Sequence, residues 1–198
     1  EKQLDIMCAG AFSVSNDSDL KWVYFLDGLK DGDNNIAALI RCNDMLRQTF
    51  ADSEHYQNYS VIMKNELIFR KSGMVVGDKF FYDNYCTYQN TDFETWRKQS
   101  FESDTWQLFP LEEIDTGEET LQAMTFSYPV RNYIQQEPEA NAVVQFLLSK
   151  ENLEQMFGQL LSRQGGILIY DAEDRLLASL GKINADGDDP ENTDLFLS

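Results

Sequence analysis
The spacing of apolar residues changes period part-way along this chain, and that change limits the fold more than any other feature. Up to about residue 54 the apolar positions recur at helical spacing. After His55 they alternate: Tyr59, Val61 and Met63 fall on one side of a strand, and Ser60, Ile62 and Lys64 on the other. Lys64-Asn65 makes a turn, and Glu66 to Arg70 returns as the second strand of a hairpin. Three further strands are expected at Trp106 to Leu111, Leu121 to Val130 and Asn141 to Leu148. A closing hairpin pairs Ile167 to Tyr170 with Leu176 to Ser179 across Asp171-Ala172-Glu173-Asp174. Consecutive strands are joined by short turns, so the sheet should be mainly antiparallel. An antiparallel sheet of about five to seven strands with one face covered by flanking helices is an α+β fold.

The helical part begins with Leu4, Met7, Cys8 and Phe12, in a segment running to about Val14. Ser15 to Asp19 interrupts it and caps a second helix over Leu20 to Leu26. A third helix spans about Asn34 to Phe50, with Ile36, Leu39, Ile40, Asn43, Leu46, Arg47 and Phe50 along one side. Phe80 to Tyr85 reads as a short helix. Thr91-Asp92-Phe93-Glu94 has the capping-box pattern and opens a helix carrying Trp96 and Arg97. A last amphipathic helix runs from about Lys150 to Arg163, with Leu153, Met156, Phe157, Leu160 and Leu161 on its apolar face. From Lys182 onward Gly, Asp, Asn and Pro dominate. The expected division is a helical stalk over 1–54, a sensor-like domain over 55–181 and a linker over 182–198.

Charge excludes several classes of function. The chain has 34 acidic and 16 basic residues, a net charge of −18, and a basic cluster to offset this is not found, so it repels phosphate backbones. No nucleic acid is expected to bind this segment, and an anionic membrane surface is disfavoured too. No apolar run is long enough to span a bilayer, so membrane attachment would come only through flanking helices outside this sequence. Cys8, Cys42 and Cys86 are widely spaced and His55 is the sole histidine, which argues against a zinc site; no metal and no cofactor are expected.

Catalysis finds little support. Any Ser-His-Asp or Cys-His arrangement would have to use His55, which lies in polar company before a strand. The acidic groups Asp27/Asp31/Asp33, Glu112/Glu113/Asp115, Glu118/Glu119 and Asp186/Asp188/Asp189 lack calcium-loop spacing and read as solvated loops. A carboxylate-dependent hydrolase is the alternative they leave open. A set of rings and arginines is more informative: Tyr82, Trp96, Arg97, Trp106, Phe126, Tyr128 and Arg131, with Tyr85 and Tyr133 nearby. Arginine takes a carboxylate through two parallel bonds and rings stack on flat ligand parts, so these seven are the candidate ligand-binding residues. The competing reading makes the rings ordinary core and Arg97 an ordinary surface charge.

Three stretches carry a resemblance. One is the helical arm leading into Tyr59 to Met63 and Leu67 to Phe69. The second is Leu121 to Val130 followed by Asn141 to Leu148, and the third is Gly166 to Ser179. Together they resemble the extracytoplasmic Cache (PAS-like) sensor domains of bacterial receptors, in particular the membrane-distal module of double-Cache sensors, over about Asp33 to Ser179. The nearest flavour is the extracellular region of membrane-anchored regulators whose output is an AraC-type DNA-binding module or a histidine kinase. The resemblance implies a non-catalytic domain on the extracellular face of the membrane that binds a small molecule between sheet and helices, near Trp96 to Trp106. The apolar stripe of the helical stalk offers a surface for a homodimer, and burial against the chain's own sheet is the more common fate of such a stripe. The amino-acid-binding pattern of one Cache subgroup is not met, because Trp96-Arg97 stand in reversed order and no Tyr follows them. A freestanding secreted or lipid-anchored binding or adhesion module is the other reading of the same features.

Overall fold
The computed structural model describes residues 2–23, 32–50, 58–131, 140–182 and 192–196. Three helices come first: α1 (Lys2–Asn16), α2 (Ser18–Val23) and α3 (Gly32–Thr49). The alternating segment then folds as its period requires. β1 (Asn58–Met63) turns at Lys64-Asn65 into β2 (Leu67–Arg70), and β3 (Gly73–Val76) follows at once. The Asn65 amide donates to the Val23 carbonyl (2.9 Å), which ties this turn to the end of α2. Next come α4 (Asp78–Tyr85), the short β4 (Thr87–Tyr88), α5 (Phe93–Glu102), β5 (Gln107–Asp115), β6 (Thr120–Val130) and β7 (Ala142–Ser149). The seven strands form one sheet in the order β3-β2-β1-β7-β6-β5-β4, with every neighbouring pair antiparallel. The fold is α+β, as the strand spacing and short turns lead one to expect.

Both faces of this sheet are covered, not one as expected, because the segment between β3 and β5 supplies a second helical layer, α4 and α5. Tyr59, Val61, Met63, Leu67, Phe69, Met124, Phe126, Val130, Val144, Phe146 and Leu148 pack on one side with Met7, Ala11 and Val14 of α1 and with Leu39, Cys42 and Leu46 of α3. The residues between them in the strands, Ile62, Ile68, Leu121, Ala123, Val143 and Leu147, pack on the other side with Phe81 and Tyr82 of α4 and Trp96 and Phe101 of α5. β7 is buried at all eight positions, because it has a helical layer on each side. Each ring sealed in these layers contributes roughly 2–3 kcal/mol through burial.

The N-terminal helices therefore lie against the chain's own sheet, on a face that keeps Met7, Leu39, Leu46 and Phe50 of the expected stripes and leaves out Phe12, Ile36 and Ile40. Ala38, Leu39, Cys42, Leu46 and Phe50 of the α3 segment are buried, while Ile36 and Ile40 stay exposed. Small side chains at 38 and 42 let the helix approach the sheet closely, which outweighs the greater hydrophobicity of isoleucine on the neighbouring stripe. In α1 Phe12 is likewise exposed and Ala11 buried.

The C-terminal part departs from expectation in two places. The single helix expected over 150–163 is two short ones, α6 (Lys150–Met156) and α7 (Gly158–Gln164), separated at Phe157 (φ −97°, ψ 10°). Gly158 immediately after it costs helix stability, and Ser149 caps α6 by accepting from the Asn152 N–H (3.2 Å). The closing hairpin, β8 (Gly166–Tyr170) and β9 (Leu176–Gly181), stays out of the large sheet and forms its own, in the order β10-β8-β9. β10 (Asn192–Phe196) falls in the stretch expected to be linker and pairs with β8 in parallel. Ile167, Ile169, Leu177 and Leu180 join the core on the α1/α3 side, so this small sheet extends that layer beside β5.

Candidate functional site
The seven candidate residues do not line one pocket. Side chains alternate along a strand, so Phe126 and Tyr128 of β6 point to the α1/α3 side, where Trp106 stacks on Phe126 with ring centres 5.8 Å apart. Tyr82 of α4 and Trp96 of α5 pack on the opposite side. The sheet stands between the two halves of the expected site.

Each charged candidate is already engaged. Arg97 donates from Nε to the Asp78 carboxylate and lies 5.0 Å from the centre of the Phe101 ring. Arg131, just beyond β6, donates to the Ser103 carbonyl at the end of α5 (2.8 Å) and pairs with Asp104 (2.8 Å). Both arginines thus hold α5 in place over the sheet. Tyr82 donates its hydroxyl to the Thr91 carbonyl and fixes the loop between β4 and α5. Burial raises the Tyr82 phenol above its ordinary pKa. Tyr133 and His55 lie outside the described residues.

The helix carrying these residues starts one residue later than its capping-box pattern suggests. Asp92, not Thr91, is the cap, and its Oδ1 accepts from the Thr95 N–H (2.8 Å). That donation holds the Asp92 carboxyl below its ordinary pKa. Thr91 instead donates its hydroxyl to Glu112 (3.0 Å), which also accepts from the Asn90 N–H (2.8 Å). Glu112 is accordingly a loop anchor. Glu118 pairs with Arg70 at 3.7 Å, and Asp115 accepts from the Gly117 N–H at 2.8 Å. Among the described residues no group of three or more His, Cys, Asp or Glu side chains is placed to hold a metal ion.

What the sequence reading missed is a line of polar residues across the α5 side of the sheet. Register places Arg70 (β2) opposite Ser60 (β1), Ser60 opposite Gln145 (β7), Gln145 opposite Ser127 (β6), and Ser127 opposite Gln107 (β5). Gln145 and Ser127 are 3% exposed, and Gln145 donates from Nε2 to the hydroxyl of Ser100 on α5 (2.9 Å). One rung away, the Tyr88 and Thr125 hydroxyls share a hydrogen bond of 2.8 Å, both fully enclosed. Burial raises the Tyr88 phenol well above its ordinary pKa, and pushes the thiol of neighbouring Cys86 up to about 12. The Trp96 indole N–H in the same layer is buried with no hydrogen-bond partner among the described residues. Ser127 and Thr125 spaced by two within an apolar strand, with Gln145 in the middle of another, were the available sequence signal.

Outside this layer the surface carries two open depressions that meet at Glu94. One, of about 650 Å³, lies over Lys79, Tyr82, Tyr88 and residues 89–94; the other, of about 370 Å³, runs along α5 past Arg97, Lys98 and Glu102. Tyr82 and Tyr88 reach from the buried layer to the floor of the first.

No protein-family model matches this sequence, and no curated protein matches it. Among the described residues no helix is long and apolar enough to cross a membrane.

Proposed function
We propose that this chain is a non-catalytic, small-molecule-sensing domain of the Cache (PAS-like) type, displayed outside the cell as part of a membrane-anchored signalling or transcription-regulatory protein. The observation that carries the reading is the polar row beneath α5. Buried polar groups cost stability unless they are hydrogen-bonded, and an apolar layer needs none of them. Ser60, Gln145, Ser127 and Thr125 face a helix that supplies Ser100 and an unpartnered Trp96 N–H. A few fixed polar groups within an aromatic layer are the chemistry of a site that orients a small neutral or weakly charged ligand.

The ligand enters from the depression floored by Tyr82 and Tyr88 and takes up hydrogen bonds now made between α5 and the sheet. Its contacts then differ between two positions of α5, and that difference is what shifts the population. β6 and β7 carry the change to the α1/α3 layer behind them.

A thermal-shift screen against amino acids, organic acids, sugars and nucleosides tests this. A compound at a hundred times its Kd stabilises the fold by about 2.7 kcal/mol. The shift is expected to vanish in Gln145→Leu and Ser127→Ala and to persist in Tyr128→Phe, on the other side of the sheet. A melting temperature unmoved by every compound, or a shift that survives in both α5-side variants, overturns the reading.

A further inference from the structure
We infer that the free edge of β3 is an interface with a second copy of this chain, in which two β3 strands pair antiparallel about a two-fold axis through Val75. β3 is the outermost strand of the large sheet, paired only with β2 among the described strands. The Gly77 N–H donates to the Glu66 carbonyl (2.8 Å), and register continues this as Ile68 with Val75 and Arg70 with Gly73. Hydrogen-bonded pairs alternate along an antiparallel ladder, so Val75 and Gly73 turn their peptide groups toward β2. Met74 and Val76 turn theirs outward. With Val75 on the axis, Met74 of each copy faces Val76 of the other, and each such pair makes both of its hydrogen bonds. The strand is its own complement.

The edge lacks the devices that usually block such pairing. Gly73–Val76 has no charge and no proline in a chain with 50 charged residues, 16 basic and 34 acidic, and no bulge interrupts its ladder with β2. The opposite edge, β4, is blunted by being two residues long. Met74, Val76 and Phe80 are 39%, 49% and 54% exposed, so three large apolar side chains are concentrated in seven consecutive residues around this strand. Gly73 at one end leaves open space, since a Cβ there would meet nothing within 4 Å. Two chains of net charge −18 repel one another, and an uncharged, apolar strand is where their approach costs least. The paired surface is smaller than the ~800 Å² per partner of a standard interface, so association is weak and depends on concentration. The inference is independent of any ligand.

Sedimentation velocity on the chain from about ten micromolar to about one millimolar is the test. A monomer–dimer equilibrium is expected. Val76→Lys places a charge on the edge, and Val76→Pro removes an N–H that β2 does not use; each should weaken association by about tenfold or more with unchanged circular dichroism. Phe12→Lys on α1 should leave it intact. A wild-type chain that stays monomeric throughout, a dimer that survives both Val76 variants, or a dimer lost in Phe12→Lys overturns the inference, the last placing the interface on the helices instead.

Discussion

Arg97 donates from Nε to the carboxylate of Asp78, so the helix that roofs the polar row is fastened to the first residue of the helix before it. The two side chains are 30% and 13% exposed, and the Phe101 ring lies beneath the guanidinium. An arginine chosen from the sequence as a ligand contact is, in this structure, a brace. Its removal leaves a half-buried carboxylate without its cation. Arg97→Ala should lower stability by about 1 kcal/mol, with solvent screening keeping the loss small. Arg97→Lys should recover less than half, because an ammonium cannot reproduce the flat contact with Phe101. Urea denaturation of the three proteins measures both.

The turn between β5 and β6 is held against the end of α4 by a close approach. Gly117 has φ +76°, and a Cβ there would lie 2.2 Å from the Asn84 carbonyl oxygen. Backbone cannot yield as a flexible side chain does. Gly117→Ala should therefore cost about 2–4 kcal/mol, seen as a lower denaturation midpoint with an unchanged slope.

The Tyr88–Thr125 hydrogen bond lies in a fully buried layer, and the cost of breaking it is asymmetric. Tyr88→Phe strands the Thr125 hydroxyl and should cost about 1–3 kcal/mol, whereas Thr125→Val leaves the phenol the Cys86 thiol as a partner and should cost less. The double variant leaves neither hydroxyl orphaned and should be less destabilised than the sum of the two. A double-mutant cycle in urea reads the coupling.

Cys86 beside them should be inert in the folded chain. Its thiol is pushed up to about 12 by burial, so the thiolate that alkylating reagents need is scarce between pH 7 and 9. Alkylation mapped by mass spectrometry should reach the half-exposed Cys8 first, and Cys86 only at the rate of unfolding. Labelling of Cys86 as fast as Cys8 in native buffer would contradict this.

Asp92 gives a dependence on pH whose sign is fixed. Its carboxyl is held below the ordinary value by the Thr95 N–H, so it binds its proton less readily folded than unfolded. The stability it adds is fully present above the ordinary aspartate pKa and is lost as pH falls through the lowered folded value. Asp92→Ala should melt a few degrees lower than the wild type at pH 7, and the gap should narrow toward pH 3. Asp92→Asn keeps the cap without the charge and should lie between them.

Much of the fold could be read from period alone. Tyr59, Val61 and Met63 announce a strand with two unlike sides, and the run from Asn141 to Leu148 announces another, though its burial on both sides was not anticipated. β3 escaped because four residues ending in exposed Met74 and Val76 have no buried alternation to reveal them. The break at Phe157 escaped because Leu153, Phe157, Leu160 and Leu161 keep helical spacing across it. For the candidate site, the sequence supplied the right residue types without the partition between layers. Phe126 and Thr125 are neighbours in the chain, yet which of them faces α5 depends on where α5 lies, and no local pattern encodes that. The acids of the β5 strand and its turn read as solvated loops, and Asp115 and Glu118 are exposed; what the sequence did not show is that Glu112 and Asp115 also accept from loop and turn N–H groups.

The enclosure of β7 sets a mechanical rule for the molecule. A slip of one residue along this strand would push the Gln145 amide against Phe126 and turn the Phe146 ring toward Ser100, an exchange no crowded interior tolerates. The helices on its two sides thus rest on one strand whose register neither layer can change.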